Sequence, residues 1–166
     1  IHPNQKDVHH EVELGVVIGM NGRHIRKEDV LKHVAGYFVG IDFTDRPLQA
    51  QCRQIGGDWC IAKGAPGFAA VSEYVAKSAV PDSSNVDLEL RVNGETRQSS
   101  NTSDFIFDVA TVIADASKYF ELREGDIIFT GTPSGVSAVV PGDTVECSIK
   151  NGGDAEPIVS LKIQVA

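Results

Sequence analysis

The stretch VHHEVELGVVIG, residues 8–19, places two histidines and two glutamates at the start of an apolar run. Successive side chains of an extended strand point to opposite faces, so His9, Glu11 and Glu13 share one face and their apolar neighbours share the other. Two carboxylates roughly 7 Å apart on a buried face are costly unless a positive charge lies between them. The stretch therefore predicts a core strand whose second face is either solvated or holds a cation.

The length and charge of the chain exclude several classes of protein. Its 166 residues, 42% hydrophobic and 23% charged, suit a single core of ordinary composition. The net charge is -8 and the 15 basic residues are scattered, whereas a nucleic-acid surface needs clustered Lys and Arg. No apolar run approaches the roughly 20 residues of a membrane span, and no basic-then-apolar leader is visible. We therefore expect neither nucleic acid nor membrane as a partner.

The cysteines indicate the cellular compartment. Cys52, Cys60 and Cys147 are odd in number and lack CxxC spacing. This pattern favours a reducing compartment over a disulfide framework. We expect a cytoplasmic or mitochondrial protein, with no chemistry assigned to the thiols.

The hydrophobic pattern predicts many strands and a few short helices, out of βαβ order. Helices are predicted over 27–36, ending at Gly36, over 46–55, capped by Asp45, and over 105–120, with Ile106, Val109, Ala110 and Ile113 on the apolar face. Strands are predicted over 8–19, 37–44, 125–131, 141–149 and 157–165, with a hairpin over 86–98 that turns at Asn93 and Gly94. These elements indicate one domain over 1–166, with an α+β fold and a curled, largely antiparallel sheet.

A third carboxylate makes a metal site plausible. Asp42 is the only charged residue in the predicted strand YFVGIDFT, residues 37–44. Three carboxylates without a thiolate favour Mg²⁺ or Mn²⁺ held by Glu11, Glu13 and Asp42. Two alternatives stay open at this point: a solvated strand face, and a zinc site that uses His9 with the two glutamates.

Other polar residues follow this strand in the sequence. Arg46 and Gln49 lie one helical turn apart, so they project from the same side of the predicted helix and could bind the oxygens of a substrate. Lys63 lies in the apolar stretch WCIAKGAPG, where it is either a desolvated functional lysine or a surface lysine with a buried stem.

The loop FTGTPSGV, residues 129–136, follows a predicted strand and is bounded by glycines. Such a loop can present backbone N–H groups and the Thr132 hydroxyl to a carboxylate, or it is simply a tight turn. It lacks the lysine pattern of a P-loop.

Taken in order, a set of segments that covers nearly the whole chain resembles the fumarylacetoacetate hydrolase family, most closely its acylpyruvase and oxaloacetate decarboxylase branch: HHEVELGVVIG, YFVGIDFTDRPLQ, WCIAKGAPGFAAVSEYV, LRVNGETRQSSNTSDFIFDVATVIADASKYFELREGDIIFTGTPSGV and VVPGDTVECSI. The resemblance implies a β-rich mixed sandwich-roll fold with a few short helices, a homodimer, and Mg²⁺ or Mn²⁺ on Glu11, Glu13 and Asp42. It implies a substrate pocket lined by Arg46, Gln49, Lys63 and Thr132. It also implies an upstream segment with a lid whose His and Glu activate water; we expect that segment to be missing before Ile1.

The resulting hypothesis is a metal-dependent hydrolase or lyase acting on a small 2-oxo acid. Cleavage of a 3-acylpyruvate by water, or loss of CO₂ from oxaloacetate, would each leave a metal-bound pyruvate enolate whose charge Lys63 shares. Two alternatives remain from the sequence: an isomerase or hydratase of longer 2-oxo dioic acids, and a catalytically weakened metal-binding scaffold.

Overall fold

The computed structural model describes residue 1 and residues 5–166, which form a strand-rich α+β fold with short helices. The strands are β1 Val8–His10, β2 Val12–Ile18, β3 Val34–Asp42, β4 Thr44–Asp45, β5 Ala69–Val71, β6 Val75–Ala76, β7 Val86–Val92, β8 Glu95–Asn101, β9 Ile127–Phe129, β10 Ser137–Val139, β11 Thr144–Asn151 and β12 Val159–Gln164. The α-helices are α1 Val30–His33, α2 Arg46–Gln54, α3 Cys60–Lys63 and α4 Val109–Tyr119, and 3₁₀ turns occupy Lys27–Asp29, Lys77–Ala79 and Thr102–Asp104. The predicted fold class is confirmed.

The strands form three antiparallel sheets. One sheet has the order β5-β3-β2-β9, with β6 also paired to β3, a second has the order β12-β11-β7-β8, and a third has the order β10-β1-β4. The second sheet packs against β2 and β3 of the first, and their apolar side chains form one core. Within the first sheet β2 lies between β3 and β9, and six of its seven residues are buried.

Two local predictions are confirmed in detail. Asp45 caps α2, and its carboxylate accepts a hydrogen bond from the backbone N–H of Leu48. The hairpin β7–β8 turns at Asn93 and Gly94, whose φ angles of 52° and 83° are those of a tight two-residue turn.

Two predicted helices are wrong at one end. The first ends at His33 rather than Gly36, because β3 already begins at Val34 and brings Gly36 against β6. A Cβ at Gly36 would lie 2.0 Å from the carbonyl oxygen of Val75, so this glycine permits close strand pairing instead of ending a helix.

The other helix begins at Val109 rather than 105. Asp108 is its cap and accepts a hydrogen bond from the Thr111 N–H. Ile106 therefore lies in an irregular segment with 92% of its surface exposed and does not belong to the buried helical face, whereas Val109 and Ile113 do. Among the described residues, no helix combines the length and apolar character that crossing a membrane requires.

Candidate metal centre

The pairing of β2 with β3 brings the three predicted carboxylates together. Glu13 lies opposite Gly40, and the Asp42 N–H donates to the carbonyl oxygen of Glu11 at 2.9 Å, which continues the pairing beyond β2. One carboxylate oxygen each from Glu11, Glu13 and Asp42 lies within 4.8 Å of the others. Glu11 and Glu13 are only 6% and 4% exposed, so the alternative of a solvated strand face is wrong.

Glycines and aromatic rings explain how this face of the sheet is closed. Gly15 lies opposite Phe38, and a Cβ at Gly15 would meet the Phe38 ring at 2.0 Å. A Cβ at Gly40 would meet the Phe129 ring at 2.5 Å. The two rings pack edge to face with centroids 5.4 Å apart. The absence of side chains at the two glycines therefore leaves room for an apolar wall beside the carboxylates.

Lys63 reaches the carboxylates from the short helix α3, which the sequence pattern did not indicate. The helix is fixed by the fully buried Ala62. Its last residue, Lys63, donates from Nζ to Glu11 Oε2 at 2.8 Å and also to Asp42 Oδ2. The interpretation of Lys63 as a surface lysine is therefore wrong.

Arg46 and Gln49 lie together on α2, as predicted. Arg46 donates to Gln49 Oε1 at 2.9 Å and to Glu11 Oε1, so the guanidinium is held between the helix and a carboxylate of the cluster. Glu11 thus accepts from both Arg46 and Lys63. The structure brings Arg46 and Gln49 to the edge of the site, with Arg46 already paired.

The glycine-bounded loop closes the other side. Gly131 has a φ of 110°, which a side chain would strain, and its N–H donates to Glu13 Oε2. The next residue, Thr132, is half-buried and accepts a hydrogen bond from Gln98 Nε2 at 2.8 Å. The loop therefore presents a backbone N–H to a carboxylate of the site, and the role of the Thr132 hydroxyl stays a prediction.

Burial dominates the ionisation of the cluster. It raises the pKa of Glu13 to about 8, against the opposing effect of the Gly131 N–H, and neighbouring Asp42 and Glu11 raise it further. Burial also raises the pKa of Asp42, although the hydrogen bond from Lys63 opposes that change. For Lys63, burial lowers the pKa, but hydrogen bonds to Asp42 and Glu11 outweigh it and raise the pKa above its ordinary value.

The donor set fits a hard divalent cation. Three carboxylates converge from two adjacent strands, and oxygen ligands are those that Mg²⁺ and Mn²⁺ prefer. Ligands on opposite sides of one ion lie roughly 4.2 Å apart when each bond is about 2.1 Å, so the spacing of the carboxylates suits one shared ion after a small inward movement. His9 is not part of the group; its Nε2 contacts Asp7 Oδ1 at 2.9 Å, which removes the basis of the zinc alternative.

Sequence reasoning missed two residues beside the site. The sequence pattern places Gln98 only at the end of the predicted hairpin and gives His10 no functional role. Both are fully buried, and their side chains are joined by a 2.8 Å contact between His10 Nδ1 and Gln98 Oε1. His10 lies in β1 and Gln98 in β8, and the two meet only in the folded structure. No local sequence pattern predicts this contact.

Comparisons with known proteins agree with this geometry. The model of the family described as fumarylacetoacetate (FAA) hydrolase C-terminal matches residues 1–165. The chain is 39% identical over 160 residues to the mitochondrial oxaloacetate tautomerase FAHD1 of Rattus norvegicus, covering 96% of this chain and 70% of that protein. It is 41% identical over 143 residues to the mitochondrial oxaloacetate decarboxylase of Dictyostelium discoideum, covering 86% of this chain and 66% of that protein.

A solved structure extends the similarity to the whole fold. The fumarylpyruvate hydrolase of Pseudomonas aeruginosa, crystallised in complex with Mn²⁺ and pyruvate, superposes with a TM-score of 0.91 at 35% identity. The superposition covers 100% of this chain and 69% of that one. The present chain therefore spans about two thirds of the length of the proteins that it matches.

Proposed function

This chain belongs to the fumarylacetoacetate hydrolase family, and we propose that it forms the metal-dependent catalytic domain of a 2-oxo acid hydrolase or lyase. The substrates we propose are 3-acylpyruvates, which would undergo C–C cleavage, and oxaloacetate, which would lose CO₂. The observation that carries the proposal is the buried group of Glu11, Glu13 and Asp42 in direct contact with Lys63.

Glu11, Glu13 and Asp42 would hold Mg²⁺ or Mn²⁺. The Mn²⁺ in the similar fumarylpyruvate hydrolase supports a cation of this kind. When bound, the cation supplies a Lewis acid for the carboxylate and 2-oxo oxygens of the substrate. Arg46 pairs with Glu11 Oε1 and so keeps one ligand oriented.

Lys63 is the residue that we assign to the chemistry. Negative charge grows on the 2-oxo oxygen as the C–C bond breaks, and a fixed ammonium nearby stabilises that charge more in the transition state than in the ground state. Lys63 is held by two carboxylates and partly shielded from water, so its charge is preorganised. Thr132 would donate from its hydroxyl to the substrate carboxylate, and Gln49 would bind beside it.

A cavity next to the glycine-bounded loop, residues 129–136, bears on the choice of substrate. Its volume is about 390 Å³, and the TGTPS segment 130–134 forms one wall. The aromatic segment 105–107 and Val112 add an apolar wall, and the one charged group lining it is the carboxylate of Asp104. None of the described residues that line it is Lys, Arg or His, which favours an uncharged acyl substituent over the second carboxylate of a longer dioic acid.

Lys63→Met tests the mechanism against the scaffold alternative. Loss of one such partner costs on the order of 10²–10³ in rate, so kcat for oxaloacetate decarboxylation should fall by that amount while the metal remains bound. Decarboxylation is the better assay because loss of CO₂ needs no activated water. Metal-promoted decay must be subtracted with a protein-free control.

The matched control is Lys162→Met. It removes an exposed lysine that pairs with Glu146 in the second sheet, away from the carboxylates of the site. It should leave the rate unchanged. Wild-type turnover by a folded, metal-loaded Lys63→Met variant would eliminate the proposed role of Lys63, and absence of turnover by the unmodified protein would favour the scaffold.

We also propose a homodimer in the cytoplasm or mitochondria. The exposed apolar side chains of Tyr119 and Phe120 at the end of α4 support a self-association surface. Sedimentation velocity at micromolar concentration should give the mass of two copies; a monomer at that concentration would contradict the dimer.

A further inference from the structure

The buried amide of Gln98 links the metal-binding strands to the glycine-bounded loop. Its Oε1 is 3.0 Å from the backbone nitrogen of Val12 and 2.8 Å from His10 Nδ1. Its Nε2 is 2.8 Å from Thr132 Oγ1 and 3.0 Å from the carbonyl oxygen of Pro133. All four hydrogen-bonding positions of the amide are therefore used, at a site with 1% exposure.

These contacts fix the direction of every hydrogen bond. A carbonyl oxygen can only accept, so the Pro133 contact identifies Nε2 as the donor end of the amide. The other end must accept from the Val12 N–H and from His10, which puts a proton on His10 Nδ1. The other ring nitrogen, Nε2, lies 2.8 Å from the Ser137 hydroxyl.

The same logic defines the role of the Thr132 hydroxyl. Since Oγ1 accepts from Gln98, the hydroxyl hydrogen is not used in that contact and is available to another acceptor. Gly135 anchors the far end of the loop, where a Cβ would lie 2.2 Å from the carbonyl oxygen of Arg97, next to Gln98 in β8. The loop is thus fixed to β8 at two points, and one of them sets the hydrogen-bond direction of the hydroxyl of Thr132, which lines the cavity.

We propose that Gln98, oriented by His10, is a positioning residue that makes Thr132 a hydrogen-bond donor toward an anionic oxygen of the substrate. This inference rests on the proposed function, in which Thr132 binds the carboxylate of a 2-oxo acid. Gln98 touches no reacting atom. Its effect is to select an acceptor, such as a carboxylate, over a donor at this position.

Gln98→Glu is the informative change, because it keeps an acceptor for Val12 and His10 and replaces only the donor end. Thr132 would then turn its hydrogen toward the new carboxylate. We expect the affinity for pyruvate, measured by calorimetry on the Mn²⁺-loaded protein, to fall about tenfold, the value of one hydrogen bond to a charged group. KM for oxaloacetate should rise by a similar factor, with kcat and Mn²⁺ affinity within about twofold of the unmodified protein.

A double-mutant cycle separates positioning from a structural role. In a Thr132→Val background, Gln98→Glu should change pyruvate affinity less than twofold, whereas in a Thr132→Ser background, which keeps a hydroxyl, the tenfold loss should return. Equal losses in all three backgrounds, or unchanged affinity in a folded Gln98→Glu protein, would overturn the proposal. Gln164→Glu, the same change at an exposed position on β12, is the control and should have no effect.

NMR of His10 tests this inference without measuring activity, so its result is independent of the proposed function. The ¹⁵N shifts of His10 should report a proton on Nδ1, and Gln98→Met, which removes the acceptor, should abolish that preference. Observation of the Nε2–H form in the unmodified protein would overturn the network. A protein with the expected tautomer but no activity toward any 2-oxo acid would instead defeat the proposed function.

Discussion

Strands β2 and β7 show the same alternation of acidic and apolar residues but different uses of it. Glu11, immediately before β2, and Glu13 flank the buried Val12, and Asp87 and Glu89 of β7 flank the buried Leu88. The glutamates leading into β2 are almost fully buried, whereas the side chain of Glu89 is 36% exposed and pairs with Arg91 of its own strand. An identical local pattern therefore gives a candidate metal centre in one sheet and a solvated face in the other.

The difference lies in what covers each face. Over β2, Lys63 from α3, Arg46 from α2 and Gly131 from the loop after β9 all converge on the carboxylates. On β7 the partner of Asp87 is Asn101 of its own hairpin, at 2.7 Å, with Lys150 only at 3.9 Å. The carboxylates at β2 therefore differ from those of β7 in having a third carboxylate on the neighbouring strand and cationic side chains from distant segments.

The largest expected contrast concerns metal affinity. Glu11→Gln, Glu13→Gln and Asp42→Asn each keep the size of the side chain but remove the charge that a hard cation requires, so each should weaken Mn²⁺ binding on the order of 10²-fold. Calorimetric titration of the metal-free protein with Mn²⁺ measures this. The matched pair Asp87→Asn and Glu89→Gln on β7 should leave the affinity unchanged.

Unchanged affinity in all three site variants, or an equal loss in the β7 pair, would remove the candidate centre. A loss confined to Asp42→Asn would show that the ion binds away from β2.

The carboxylates of the site were predictable because a charge in an apolar strand is conspicuous. Asp42 stands alone among apolar residues in β3, and the capping of α2 by Asp45 followed from local rules. Lys63 could be singled out but not placed, since α3 has only four residues and too little periodicity to reveal a helix.

Long-range packing decided what the pattern could not. The sequence predicts a helix end at Gly36, but Gly36 lies in β3, where β6 pairs with it and the Val75 carbonyl oxygen comes close. Ile106 fitted a helical spacing, yet Asp108 caps the helix, which begins at Val109, four residues later than predicted. The link from His10 to Gln98 spans 88 positions, so only the folded sheets define it.

A smaller contrast concerns stability in the absence of metal. The folded pKa of Glu13 is raised to about 8, above the ordinary value of 4.5, so the folded state binds a proton that the unfolded state releases. The free energy of unfolding contributed by this group is fully present below pH 4.5 and is lost as the pH rises to about 8. Glu13→Gln removes that dependence and should stabilise the metal-free protein by a few kcal/mol at pH 8, with little change near pH 4.5.

Urea unfolding of the metal-free wild-type and Glu13→Gln proteins at both pH values measures this difference. Saturation with Mn²⁺ should narrow the difference at pH 8 by about 2.7 kcal/mol, the value of a 10²-fold difference in affinity, because the ion stabilises the tighter-binding wild-type protein more. Equal stability of the two metal-free proteins at pH 8 would mean that Glu13 is ionised at little cost.

The smallest expected effect is that of Glu89→Gln on β7. Glu89 Oε1 accepts from Arg91 Nε and from the Thr96 hydroxyl, both at 3.0 Å, on the solvated face of the hairpin. Exposed pairs of this kind contribute about 0.2–1 kcal/mol, and glutamine keeps an acceptor for both donors, so the free energy of unfolding should change by less than about 0.5 kcal/mol. A loss of several kcal/mol in urea unfolding would show that the face of β7 is as enclosed as that of β2, and the contrast between the two strands would fail.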